Sequence, residues 1–509
     1  FQTSGVPLAL KRDATDGVQS VHVEVKHPDE INTLFDPAIV YAKGSRLMHM
    51  LRRWLGDEAF AKGLNAYFAK HQYSNTIGRD LWNALGAASG RDVAAFMDSW
   101  LEQPGYPVLT AIVENDTLKI SQKQFFIGEK EEKGRLWVVP LNSNWTGIPD
   151  TLETETLEIP NYTALAAQNE GALRLNTENT AHYITDYQGE LLDNILATIT
   201  DLDNTSKLQV VQERRLLAEA GSVSFADLIP VIEKLTNEMS YLVVSAVKAV
   251  LNSLRTFVDE GTETEVAFKK LLVKLNQANF DRLGFEAKDG ETDEDELVRQ
   301  IVVANMIAAD DEKASQKASQ IFEAHQENLE KLPAATRLQI LINQIKRHET
   351  KELTDKYLAK YITTVDGNFQ RQLASALSYT KNETTLTHLL EEWKNKDIVK
   401  PQDLAMSWYF TFLQHDFTQG TVWTWARENW DWIKAALGGD MSFDKFVIYP
   451  ANAFKTHERL AEYKAFFEPQ LSDLAISRNI SMGIKEISAR IDLIDKEKAA
   501  VEAAIKAAV

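Results

Sequence analysis

Residues 35–44 read Phe35-Asp36-Pro37-Ala38-Ile39-Val40-Tyr41-Ala42-Lys43-Gly44 and predict the start of a helix. Asp36 is a typical helix cap, and Pro37 suits the first turn, where its missing N–H costs nothing. Apolar or small residues then recur three and four positions apart, which predicts one buried stripe: Val40, Gly44, Leu47, Met48, Leu51, Trp54 and Leu55. Gly56 is the predicted stop.

The composition restricts the class of partner. The chain has 509 residues, 44% of them hydrophobic, which is enough for several domains with real cores. Its 74 acidic and 55 basic residues give a net charge of −19. This balance argues against nucleic acid and against an anionic membrane surface, because both need clustered Lys and Arg. There is no cysteine, so no disulfide is expected and a reducing, cytoplasmic location is favoured.

Hydrophobic periodicity divides the chain into three predicted parts. Residues 1–103 are predicted to be mainly helical after a short lead-in, with an extended segment or strand at 21–25 and helices at 58–71, 78–88 and 93–101. Residues 104–187 begin at a Pro-Gly-Tyr-Pro boundary and predict a small β-sandwich, with strands at 108–113, 117–122, 137–141, 156–159 and 172–175. Asn115-Asp116 is the predicted turn between the first two strands.

Residues 188–509 predict a train of helices. Helical spacing is present at 191–199, 207–220, 225–235, 241–258 and 266–275. Because no fixed sequence period separates these helices, we expect a degenerate α-solenoid. The predicted fold class is therefore mainly α with a small β-sandwich.

The stretch at residues 35–44 resembles the phenylalanine-aspartate and tyrosine-x-lysine-glycine signature of the zinc aminopeptidase N family, a gluzincin-type family of metallo-aminopeptidases. Other similarities follow in the family's order: His27-Pro28-Asp29-Glu30-Ile31, Leu55-Gly56-Asp57-Glu58-Ala59-Phe60, Phe96-Met97-Asp98-Ser99-Trp100, Gln103-Pro104-Gly105-Tyr106-Pro107-Val108 and Glu213-Arg214-Arg215-Leu216-Leu217-Ala218-Glu219-Ala220-Gly221. Two stretches depart from the family pattern, Ser20-Val21-His22-Val23 and Leu173-Arg174-Leu175-Asn176.

The resemblance implies a bacterial, cytoplasmic hydrolase of peptide catabolism that removes N-terminal residues from peptides with one zinc ion. In the family the zinc motif is His-Glu-x-x-His with a later glutamate, upstream of the tyrosine. None of the ten histidines begins such a motif: His348-Glu349 and His457-Glu458 both lack the second histidine. We therefore expect no metal ligands in this chain. The chain opens at Phe1, which is typical of a processed, truncated or engineered polypeptide.

On this interpretation the chain is the downstream portion of a zinc aminopeptidase and is inactive alone. It would comprise the C-terminal helices of a thermolysin-like catalytic domain, a β-sandwich and a HEAT- or armadillo-like superhelix, and would pack on the missing N-terminal and catalytic portion. Peptides are the expected substrates, with the substrate-binding residues unassigned. An alternative of another class is a non-catalytic helical-repeat binding or scaffold protein with the same architecture.

The resemblance assigns catalytic work to Tyr41, which would donate a hydrogen bond to the carbonyl oxygen as it becomes an oxyanion. A phenol suits that work because it is a directional donor that is neutral near pH 7. The alternative is an ordinary aromatic residue at a helix edge. We expect Lys43 to be solvated or ion-paired and Gly44 to allow close helix packing, and we assign no metal to His22, His27 or His49.

Two further patterns favour structure over function. The acidic run at residues 291–296 lacks the register and the glycine of a calcium loop, so we predict a solvated helix start. The residues of a tryptophan cluster are more typical of core packing than of a peptide channel: Trp423, Trp425, Trp430 and Trp432.

Overall fold

The computed structural model describes residues 1–128, 130–440 and 442–509, with only the backbone described for Asp29, Asn32 and Thr33. The chain forms two compact units, Phe1–Lys234 and Leu235–Val509. Helices dominate both units, which confirms the mainly α part of the predicted fold class. Each unit is described here by itself.

The first unit contains ten α-helices in its described residues: α1 (Gly5–Asp13), α2 (Ile31–Leu34), α3 (Gly44–Leu55), α4 (Asp57–His71), α5 (Gly78–Ser89), α6 (Val93–Leu101), α7 (Tyr162–Ala166), α8 (Glu190–Ala197), α9 (Asn204–Glu219) and α10 (Leu228–Lys234). A π-helical turn, Ala38–Lys43, leads directly into α3. The helices predicted at 58–71, 78–88 and 93–101 are confirmed as α4, α5 and α6. Helix α1 lies in the predicted lead-in and was missed, while residues 21–25 form no strand in the structure.

The strands of the first unit form two sheets. They are β1 (Pro107–Glu114), β2 (Thr117–Gln124), β3 (Val139–Pro140), β4 (Thr151–Leu152), β5 (Thr156–Pro160) and β6 (Ile184–Tyr187). The larger sheet has the order β5-β2-β1-β6, and only the β1–β6 pair is parallel. Strands β3 and β4 pair with each other. Asn115 and Asp116 both have positive φ, as the tight β1–β2 turn requires.

The strand predictions are partly confirmed. Those at 108–113, 117–122 and 156–159 correspond to β1, β2 and β5, and that at 137–141 shortens to β3. The strand predicted at 172–175 is wrong. Its alternating Leu173 and Leu175 are buried, but the Arg174 backbone pairs with Asn144 in a loop instead of joining a ladder. The alternation of apolar and polar residues indicates which face of a segment is buried, but it does not identify a strand with which that segment pairs.

In the described part of the second unit every regular element is helical: α11 (Tyr241–Arg255), α12 (Glu263–Leu283), α13 (Asp293–Ala308), α14 (Glu312–His325), α15 (Arg337–His348), α16 (Lys351–Thr363), α17 (Gly367–Leu377), α18 (Glu383–Glu392), α19 (Pro401–Asp403), α20 (Phe410–Leu413), α21 (Asp416–Glu428), α22 (Trp430–Leu437), α23 (Lys445–Ala453), α24 (His457–Phe467) and α25 (Ser477–Ala507). Side-chain caps start many of them, including those from Thr262, Asp311, Thr350, Asp366 and Asn382.

Two predictions for this unit are confirmed. The acidic run begins α13, where Thr292 and Asp295 form a capping box and the carboxylates occupy the first turn. The tryptophans belong to the core, since Trp423, Trp425 and Trp430 are buried and Trp432 packs against the same cluster. Among the described residues, no helix is both long and apolar enough to cross a membrane.

Candidate active site

The turn that carries Tyr41 is a π-helical turn capped by an aspartate. The Asp36 carboxylate accepts the Ala38 N–H at 3.0 Å, as the sequence predicted for a cap. At the other end, the Gly44 N–H donates to the carbonyl of Ile39, five residues earlier. Such π-turns recur at functional sites because the extra residue reorients a side chain.

Tyr41 projects from this turn into solvent. Its side chain is 62% exposed, and the Phe35 ring meets it edge-on with 5.6 Å between ring centroids. The hydroxyl is therefore available to a ligand. An exposed aromatic residue at this position buries little surface of its own, so its location is set by the backbone of the turn.

The buried face of α3 differs from the predicted stripe. Leu47 and Leu51 are buried as predicted, but Val40, Met48, Trp54 and Leu55 are only half-buried. The most buried positions include two charged residues, Lys43 and Arg46, each with no exposed surface. The stripe prediction was wrong here because periodicity assigns charged residues to the solvent side, whereas these two find partners inside the protein.

Lys43 lies in a buried charge cluster with Asp13 and His182. The Lys43 Nζ is 2.9 Å from Asp13 Oδ2 and donates to the Gly105 carbonyl at 3.0 Å. His182 Nε2 lies 3.0 Å from the same Asp13 oxygen, while Asp13 Oδ1 accepts the Gly105 N–H at 2.9 Å. Lys43 is thus ion-paired, one of the two states the sequence predicted. The cluster joins α1, the Tyr41 turn and two loops.

The electrostatics of this cluster favour an ionised Asp13 beside a neutral His182 imidazole. Burial opposes ionisation of Asp13, yet the Lys43 and His182 groups outweigh it and hold the pKa of that carboxyl below its usual range. Burial lowers the pKa of His182 to about 4, against the attraction of Asp13. Removal of either partner would leave the other charge buried and unpaired.

Arg46 extends the buried polar network one turn further along α3. Its guanidinium donates to the Asn179 carbonyl at 3.2 Å, the Asn179 Oδ1 at 2.9 Å and the Ala181 carbonyl at 2.5 Å. Burial lowers the pKa of Arg46 to about 10. Nearby on α9, burial raises the pKa of Glu213 to about 8 despite the charge of Arg46.

The remaining candidate residues do not converge on Tyr41. A Cβ on Gly44 would meet only the Ile39 carbonyl oxygen at 3.9 Å, an ordinary contact, so the prediction of close packing at Gly44 was wrong. His49 is exposed and stacks edge-on with Phe1, and His22 pairs with Glu102 at 2.7 Å. Across the described residues, no three His, Cys, Asp or Glu side chains are placed to hold a metal ion. The described residues therefore do not fit a zinc site.

The arrangement therefore supplies an exposed phenol donor on a turn whose neighbouring charged side chains, Lys43 and Arg46, are buried. It can offer a hydrogen bond to a developing negative charge. Sequence reasoning missed Asp13, Arg46, Asn179 and His182 as members of this network. No local signal could have found them, because Asn179 and His182 lie far from the turn in sequence and meet it only in the folded chain.

Comparisons with known proteins identify similar domains and longer relatives. Residues 1–100 match the peptidase family M1 domain, and residues 173–489 match the ERAP1-like C-terminal domain. The chain is 62% identical over 503 residues to an aminopeptidase N of Lactococcus lactis subsp. lactis, with 99% of this chain and 59% of the relative covered. It is 42% identical to an aminopeptidase N of Lactobacillus helveticus, covering 100% of this chain and 60% of the relative. A puromycin-sensitive aminopeptidase of Caenorhabditis elegans is 27% identical, with 99% and 55% covered. The chain thus spans about 60% of the length of its bacterial relatives.

Proposed function

This chain belongs to the aminopeptidase N family, and on that premise we propose that it forms the C-terminal portion of a zinc-dependent aminopeptidase that removes N-terminal residues from peptides. The observation that carries the proposal is the exposed Tyr41 side chain, which lies on a capped π-turn whose other residues are buried apart from the half-buried Val40. Tyr41 is the proposed catalytic residue of this chain.

Tyr41 would act on the scissile carbonyl. When the carbonyl oxygen gains negative charge, the phenol O–H donates a hydrogen bond that is stronger to the oxyanion than to the neutral carbonyl. Because the described residues do not fit a metal, we assign the single zinc of the complete enzyme to ligands outside this chain. Peptides are the proposed substrates, and the location is proposed to be the cytoplasm, which a cysteine-free sequence permits.

The finer architecture is also a proposal. Residues 1–103 would be the C-terminal part of the catalytic domain, residues 104–187 a β-sandwich, and residues 188–509 a helical superhelix of HEAT or armadillo type. The two small sheets within 107–187 and the succession of helices from α8 to α25 support this division. We further propose that the chain packs against the N-terminal and catalytic portion of the complete enzyme.

Tyr41→Phe in the full-length protein tests the catalytic proposal. Loss of one oxyanion donor lowers kcat by roughly a hundred- to a thousandfold, while KM changes little because the bond forms only along the reaction path. Tyr73→Phe is the matched control, since Tyr73 is a fully exposed tyrosine of the same unit. A Tyr41→Phe enzyme within a few-fold of wild type would show that Tyr41 is a structural residue.

A second observation separates this proposal from a scaffold protein of the same architecture. The coding sequence that precedes Phe1 should contain His-Glu-x-x-His followed by a distant glutamate. If that sequence lacks the motif, the non-catalytic alternative is favoured.

A further inference from the structure

The last two residues of α1 contact opposite ends of the Tyr41 turn. Arg12 Nε lies 2.6 Å from Asp36 Oδ2, the carboxylate whose other oxygen caps the turn. Asp13 Oδ2 lies 2.9 Å from Lys43 Nζ, on the last residue of the same turn. Two adjacent side chains on one helix thus hold the beginning and the end of a six-residue segment.

The two ion pairs differ in how far they are buried. Arg12 and Asp36 are mostly shielded, with side chains 20% and 14% exposed, whereas Asp13 and Lys43 have no exposure at all. The buried contact is fixed further by Gly105, whose N–H donates to Asp13 and whose carbonyl accepts from Lys43. These directional hydrogen bonds restrict the arrangements open to the buried ion pair.

We propose that Arg12 and Asp13 are positioning residues for Tyr41. They clamp the turn Ala38–Lys43 against α1 and so fix the position of the Tyr41 hydroxyl. The contacts of the exposed Tyr41 ring do not fix that position. This inference rests on the proposed function. A donor displaced by about 1 Å can lose a large part of its catalytic effect, up to roughly a hundredfold.

The first test measures the turn itself, in this chain. Arg12→Gln and Asp13→Asn should speed amide hydrogen exchange in a peptide covering residues 38–43. For Arg12→Gln the expected increase is roughly two- to fivefold, the effect of losing one partly shielded ion pair. Arg79→Gln is the control, because Arg79 pairs with Asp98 at 2.9 Å between α5 and α6 and does not touch the turn. Unchanged exchange at residues 38–43 in both clamp variants overturns the clamp.

The second test asks whether the clamp acts through the hydroxyl. In the full-length protein, Arg12→Gln should lower kcat by roughly tenfold or more with little change in KM. In a Tyr41→Phe background the same substitution should cost nothing further, because there is no hydroxyl left to misplace. If Asp13→Asn does not fold, Arg12→Gln alone still decides the question.

The possible failures are distinguishable. An equal loss of kcat from Arg12→Gln with and without the Tyr41 hydroxyl would show that the ion pair supports the fold in general, and would overturn the clamp while leaving the proposed function intact. If Tyr41→Phe itself leaves kcat unchanged, the proposed catalytic role of Tyr41 and the positioning role of Arg12 and Asp13 both fail.

Discussion

Glu213→Gln should stabilise the first unit increasingly as the pH rises. Glu213 lies on α9 with 4% of its surface exposed and accepts a hydrogen bond from Gln209 Nε2 at 2.9 Å. Burial raises its pKa from 4.5 to about 8, against hydrogen bonds from Gln209 and Thr185 and the charge of Arg46. At neutral pH the folded chain therefore holds a proton that the unfolded chain has released.

The sign and size follow from linkage. A carboxyl whose pKa is raised on folding contributes its stability in full below pH 4.5 and loses it as the pH rises through about 8. The difference between these two pKa values corresponds to a loss of about 5 kcal/mol in the free energy of unfolding, at about 1.4 kcal/mol per pH unit. Glutamine keeps the shape and the acceptor oxygen and carries no titratable proton, so this pH-dependent loss disappears in the variant.

Denaturation in urea at several pH values, with hydrogen exchange read from α9 peptides, reports the first unit alone. The free energy of unfolding of Glu213→Gln minus that of wild type should rise by about 1.4 kcal/mol per pH unit between about 5 and 8, then level off. Glu190→Gln makes the same exchange at an exposed site of α8 and should track wild type. A variant-minus-wild-type difference that stays constant from pH 5 to 8 would refute the reasoning, because Glu213 would then titrate alike in both states.

Three further perturbations have defined outcomes. Asp13→Asn should lower the free energy of unfolding by about 3–5 kcal/mol in thermal or urea melts, since it leaves the buried Lys43 charge unpaired, and a loss under 1 kcal/mol would contradict a desolvated pair. Gly483→Ala should cost about 1–3 kcal/mol in the second unit, because the new methyl group meets the Tyr463 hydroxyl and lies 2.9 Å from the Ala451 Cβ; an unchanged melting temperature counts against it. The chain dialysed against a weak chelator should retain far less than one zinc per molecule by metal analysis and should not hydrolyse amino-acid amides, and one tightly held zinc would show that ligands were missed.

Local signals predicted the elements that are defined locally. Helices α4, α5 and α6 have apolar spacing bounded by clear starts and stops, and Gly56 ends α3 with positive φ as predicted. The β1–β2 hairpin followed from its Asn-Asp turn. Strand β6 was missed because it has four residues and pairs in parallel with β1 across a long stretch of sequence, where no turn signals the partner.

Only part of the candidate site could be predicted from the sequence. The Asp36 cap could be identified from its place before Pro37, and Tyr41 was singled out by the resemblance of residues 35–44 to the aminopeptidase N signature. The buried partners could not be identified, because Asp13, Asn179 and His182 come together with Lys43 and Arg46 only in the folded chain. A charge is buried only where the tertiary structure supplies its partners, and the periodicity of the sequence does not reveal those partners.

The buried charges behind Tyr41 are better explained by geometry than by stability. An ion pair taken out of water regains in attraction little more than its desolvation costs, so an apolar pair at positions 13 and 43 would serve the core about as well. Apolar contacts, however, are non-directional, whereas the Asp13–Lys43 pair and its Gly105 hydrogen bonds define distances at both ends. If Tyr41 has the proposed catalytic role, the turn needs these defined distances, because packing around the exposed side chain cannot provide them.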